Sequence, residues 1–79
     1  MFNPLKRGIM KKLEQELKQL LLGLNYKMRT GDTLITISVA RFISDHDLSM
    51  IMDACHKRNC IVYIFPCDES HFELSICER

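Results

Sequence analysis

Two residue pairs have the types needed for nucleophilic chemistry: Cys55 with His56, and Cys67 with His71. An imidazole beside a thiol can take its proton and leave a thiolate, which is the attacking species. Neither spacing builds a site. Neighbouring residues on a helix point in different directions, which separates Cys55 from His56, and Cys67 and His71 flank an exposed strand-to-strand turn with no pocket implied. His46 stands between Asp45 and Asp47, where helix capping and the helix dipole already explain both acids. The chain has no Gly-rich phosphate loop, no zinc-protease helix motif and no triad pattern. No catalytic residue is assigned, and a non-enzyme is expected.

The remaining cysteines do not change this. Cys55-x4-Cys60 and Cys67-x3-His71 lack the two-residue knuckles of structural zinc sites, and Cys60 and Cys77 fall on regular elements where small buried thiols are common. No metal and no cofactor is expected. In the absence of an export signal the four thiols are expected to stay reduced in a cytoplasmic setting. No apolar run approaches the roughly 20 residues that a membrane span needs, so no membrane association is expected. The 79 residues make one domain. A domain of that size hides only about 60–65% of its unfolded surface, so self-association would help it.

The elements that would carry any site follow from periodicity. Asn3-Pro4 opens a helix, and Leu5, Ile9, Leu13, Leu17, Leu20, Leu21 and Leu24 form its apolar stripe. Gly23 or Asn25 ends it. Met10 is an alternative start, which would make the first nine residues an extension. Met28-Arg29-Thr30-Gly31-Asp32 reads as a turn, with Gly31 free to take a positive φ. Thr33 to Ala40 is β-branched and alternating, a strand with Ile35, Ile37 and Val39 inward. Ser44 caps a second helix whose buried stripe is Leu48, Ile51, Met52 and Cys55, and Asn59 in the left-handed conformation releases the chain. Cys60 to Phe65, apolar at nearly every position, reads as the middle strand, and His71 to Cys77 returns as its hairpin partner. An even loop would pair Phe65 with Phe72, Tyr63 with Leu74 and Ile61 with Ile76; one more residue would oppose the first two to Glu73 and Ser75.

The expected fold is a two-layer α/β sandwich of order α-β-α-β-β, a three-stranded mixed sheet with two helices on one face. With Ile61, Tyr63, Phe65, Phe72, Leu74 and Ile76 under the helices, the bare face would carry Leu34, Thr36, Ser38, Ala40, Val62, Ile64, Glu73, Ser75 and Cys77. Such a patch should meet a second copy of the chain or a protein partner, and the two edge strands offer another route. A small regulatory or interaction module, a homodimer, is the first expectation.

Charge suggests the alternative. Lys6, Arg7, Lys11, Lys12, Lys18, Lys27 and Arg29 face only Glu14 and Glu16 in the first 29 residues, whereas the rest of the chain is acidic. This is a candidate phosphate-binding footprint for RNA or DNA. Mixed charge opposite an apolar stripe is also the default for a surface helix, and Phe65, Phe72 and Tyr63 are expected to be taken up by the core rather than to stack on bases.

Met28-Arg29-Thr30-Gly31-Asp32-Thr33-Leu34-Ile35-Thr36-Ile37 resembles the Gly-acid-x-Leu-x-Val entry to the second strand of the TusA/SirA sulfur-carrier family. The helix start with Asp45 and Asp47, the segment Asn59-Cys60-Ile61-Val62 and the final hairpin look like that family's later half. The C-terminal domain of bacterial translation initiation factor three is similar in element order. The resemblance implies an α/β architecture. It does not imply sulfur transfer here, because the family's Cys-Pro-x-Pro motif has no counterpart in Phe2-Asn3-Pro4-Leu5, where no thiol stands.

Overall fold

In the computed structural model, which describes the backbone of residues 4–79 and side chains from Met10 onward, leucine periodicity gives the first helix, α1, Pro4–Leu20. Asn3, the expected cap, and the side chains of Leu5, Lys6, Arg7 and Ile9 lie outside the described residues. Met10, Leu13, Leu17 and Leu21 form the buried stripe, with Leu20 and Leu24 packed at its margin. Gly23 takes a positive φ of 85° just past the helix, where a residue with a Cβ would be strained.

Four strands follow where three are expected. They are β1, Tyr26–Thr30; β2, Leu34–Ala40; β3, Cys60–Pro66; and β4, His71–Glu78, with the second helix, α2, Asp45–Lys57, between β2 and β3. The segment read as a turn from Met28 to Asp32 is thus largely β1. Tyr26 and Met28 pack against the core while Lys27 and Arg29 point away, a period of two that marks a strand. The turn is confined to residues 31–33 and closed by the Gly31 N–H donating to the Leu34 carbonyl at 2.7 Å. Gly31 is not among the positive-φ positions, Gly23 and Asn59.

The sheet is antiparallel throughout, in the order β1-β2-β4-β3, which corrects the mixed three-stranded expectation. β2 and β3 do run parallel, but β4 lies between them, giving a split β-α-β unit. Consequently Cys60–Pro66 is an edge, not the middle, and β4 takes the central place. The edges are β1 and β3. Leu74 and Ile76 on β4 are fully buried, as are Ile35 and Ile37 on β2, against Ile51 and Cys55 of α2 and the leucines of α1. Both helices lie on this one side of the sheet.

Local chemistry sets α2 as expected. The Ser44 Oγ accepts from the Asp47 N–H at 3.1 Å, and Asn59 adopts φ 59° at the far end. Its buried stripe is Ile51, Ala54 and Cys55; Met52 and Leu48 are only partly covered. Arg58 donates to Glu16 at 2.8 Å and ties the end of α2 to α1.

The hairpin register also differs from the even-loop expectation. Phe65 pairs with Glu73, Ile64 with Leu74, Tyr63 with Ser75 and Val62 with Ile76. The cause is the turn. Asp68 Oδ1 accepts from the Ser70 N–H at 2.7 Å, and the Cys67 and Asp68 N–H groups both donate to the His71 carbonyl, which leaves five residues between the paired Pro66 and Phe72. A shift of one residue moves every side chain of a strand to the other face. Val62 and Ile64 therefore lie on the helix side, and Ile61, Tyr63 and Phe65 on the bare side, the reverse of the expectation.

Replacing Leu74 by Ala should cost about 2–5 kcal/mol, enough to unfold most of so small a domain, whereas Ser75→Ala on the opposite face should change stability by no more than about 0.5 kcal/mol. Urea denaturation followed by circular dichroism measures both. Equal losses would contradict the inward placement of Leu74 on β4.

Candidate functional site

No described helix or strand covers the second face of the sheet, and its composition follows from the register. Paired residues of adjacent antiparallel strands point the same way, so the face reads as rows across the sheet. One row runs Lys27, Ser38, Glu73, Phe65, from β1 through β2 and β4 to β3. The next runs Arg29, Thr36, Ser75, Tyr63. A third holds Leu34, Cys77 and Ile61, and Ala40 with His71 completes the opposite end. Each of the two middle rows passes from a cation to an aromatic ring, through Ser38 and the acid Glu73 in the first and through Thr36 and Ser75 in the second. Strands stand about 4.8 Å apart, so the cation and aromatic columns are separated by roughly 14 Å.

The aromatic column is open. Tyr63 and Phe65 are each 49% exposed, and their rings lie 6.4 Å apart and inclined by 24°. Beside them Lys27, Arg29, Thr36, Ser38 and Glu73 line a shallow concavity of about 440 Å³. A second concavity, sharing Lys27 and Ser38, continues toward Asp68 and His71. Glu73 is exposed, and its side chain forms no ion pair or hydrogen bond among the described residues.

The expected interaction residues are therefore divided. Leu34, Thr36, Ser38, Glu73 and Ser75 do share the bare face; Val62 and Ile64 do not. The basic residues divide as well. Lys27 and Arg29 are on the bare face, but Lys11, Lys12 and Lys18 are exposed on α1, in the opposite layer, so the five described cations do not share one face. Lys6 and Arg7 lie outside the described side chains. The reading that Tyr63 and Phe65 belong to the core is corrected; of the three aromatics, only Phe72 packs against it, under the Arg41 guanidinium at 5.2 Å.

The groups with nucleophilic chemistry do not converge. Cys55 is buried and its thiol is pushed up to about 12, chiefly by loss of water and then by Cys60 and Glu16 nearby. Burial likewise raises Cys60. Cys67 is exposed at the hairpin tip, but the His71 ring turns to Ser70 Oγ at 3.0 Å and Asp68 Oδ1 at 3.3 Å. Both contacts fall on the same nitrogen, Nδ1, so the imidazole cannot relay a proton from the serine to the aspartate as a triad requires. Asp68 is held below its usual range by the Ser70 N–H and hydroxyl and then by His71. These bonds fix the turn, and with it the register. Among the described residues no three His, Cys, Asp or Glu side chains gather as a metal ion would need.

No protein-family model matches the chain, and no curated protein matches it. The likeness to the sulfur-carrier family rests on the quoted residues alone.

Unfolded, Cys55 loses its proton near 9.0; folded, it holds it to about 12. The fold binds more protons between those values, so stability should fall as pH rises from about 9 to about 12. Chemical denaturation across this window should show a shallower fall for Cys55→Ala than for the native chain. Equal slopes would mean the thiol is not shielded.

Proposed function

We propose that the chain is a non-catalytic binding module whose working surface is the bare sheet face, and that its partner is single-stranded nucleic acid. The observation behind this reading is the pair of rows that join Lys27 to Phe65 and Arg29 to Tyr63. Proteins that hold single strands combine cations that follow the phosphates with aromatic rings on which bases stack, and a flat sheet with outward rings can offer both at once. Duplex would fit poorly, because its bases are already stacked and cannot reach the rings. Four unpaired thiols accord with a reducing, cytoplasmic setting. No described helix is long and apolar enough to cross a membrane.

Self-association is the second reading, as a homodimer or with a protein partner of similar surface. It is favoured by the apolar row Leu34, Cys77, Ile61 and by the edge of β3. The other edge is less suitable, since Lys27 and Arg29 sit on β1 and charged edge strands resist pairing. Phe42, 88% exposed in the turn before α2, is a separate apolar position beside a small, mostly apolar concavity that also holds Asn25.

Titration with single-stranded and duplex oligonucleotides at several salt concentrations tests the proposal. Two phosphate contacts should give a slope of log K against log salt of about −1.4, falling to about −0.7 in Lys27→Ala or Arg29→Ala. Tyr63→Ala and Phe65→Ala should each weaken single-strand binding roughly fivefold to a hundredfold, and Lys11→Ala with Lys12→Ala should leave it within about twofold. Binding lost through the helix lysines but not through the rings would overturn the sheet-face assignment. A concentration-dependent dimer in sedimentation that Tyr63→Ala dissociates, with no oligonucleotide bound, would replace it with self-association.

A further inference from the structure

We infer that Glu73 selects the base that stacks on Phe65, favouring bases that carry an exocyclic amino group over uracil and thymine. This inference rests on the sheet-face reading and adds a base preference to it. An acid in the middle of an anion-binding face opposes phosphate, so affinity alone gives no reason for a carboxylate there. Glu73 is nonetheless placed in the row with Lys27 and Ser38, directly across from Phe65. Cβ atoms of such a pair lie about 4.5–5.5 Å apart, so a base lying on the Phe65 ring extends its edge over the neighbouring carboxylate. Glu73 is exposed, and within the described residues its carboxylate is not engaged by Lys27, Arg29 or any hydroxyl. It is available to a ligand.

A carboxylate only accepts hydrogen bonds. Cytosine N4–H2 and adenine N6–H2 can donate to it, and guanine offers N1–H and N2–H2 from its pairing edge. Uracil and thymine present one N–H between two carbonyl oxygens, both of which the carboxylate repels. The tyrosine row differs in kind. Ser75, opposite Tyr63, has a hydroxyl that can donate or accept, so the base on Tyr63 is not discriminated in this way. One position of the bound strand is selective and its neighbour is tolerant.

Homopolymers of about 10 nucleotides of dC, dA and dT, matched in length and salt, test the inference by fluorescence anisotropy. The native chain should bind dC and dA at least about fivefold more tightly than dT, the lower end of what one good base contact contributes. In Glu73→Gln, whose amide can also donate, the preference should shrink to about twofold or less, mainly by a gain for dT. Glu73→Thr, which suits a strand and has no charge, should lose the preference as well. A Glu73→Gln chain that binds all three polymers more tightly by the same factor would show a charge effect only and overturn the base selection while leaving the sheet-face reading intact. A native chain that binds the three equally would do the same. No binding to any homopolymer would overturn both. The melting temperature of each variant should match the native value, since Glu73 is exposed, and a lowered value would mark the position as structural and count against selection.

Discussion

The pairing of β3 with β4 decides which side chains this protein shows to solvent. Side chains on a strand alternate with a period of two, so the hairpin has only two outcomes, and they are opposites. In one, Tyr63 and Phe65 would lie under the helices and the bare face would hold Val62 and Ile64. In the other, which the structure adopts, two aromatic rings face outward beside Glu73 and Ser75. Asp68 and Ser70 make the choice through the hydrogen bonds that shape the turn. A few polar contacts at an exposed tip thereby set the chemistry of a face some distance away.

The core tolerates this choice because β3 lies at the edge. Cys60 is buried, Val62 is half-covered and Ile64 is 42% exposed, so the helix layer thins along the strand and leaves little room in which bulkier rings would be better hidden. The central strand has no such latitude. Leu74 and Ile76 are shut in by β2 and β3 and by both helices, and they would fix β4 whatever its hairpin partner did. The fold thus divides its tasks. β2, β4, α1 and α2 supply stability, and the outer strands β1 and β3 supply the cations and the aromatics.

Much of the architecture was legible in the residues. The leucine spacing of α1, the Ser44 cap, the left-handed Asn59 and the inward Ile35, Ile37 and Val39 all follow from local rules that tertiary context did not override. β1 was obscured because its five residues include two cations and adjoin a Gly-Asp turn signal; the alternation of Tyr26 and Met28 with Lys27 and Arg29 was the cue that marks it. The edge place of β3 is hidden in its sequence for a different reason. A continuous apolar run usually means burial on both faces, but here it marks an edge whose outer side, with Ile61, Tyr63 and Phe65, is left uncovered. Strand order depends on contacts far apart in the chain, which no window of sequence contains. The same applies to the candidate site: its residues come from four strands, and only the register aligns them.

Cross-strand nuclear Overhauser effects between β3 and β4 in the labelled protein test this account most directly. They should place Phe65 opposite Glu73, Ile64 opposite Leu74 and Val62 opposite Ile76. Effects that instead place Phe65 opposite Phe72 and Tyr63 opposite Leu74 would turn the rings inward, and the face proposed for binding would not exist.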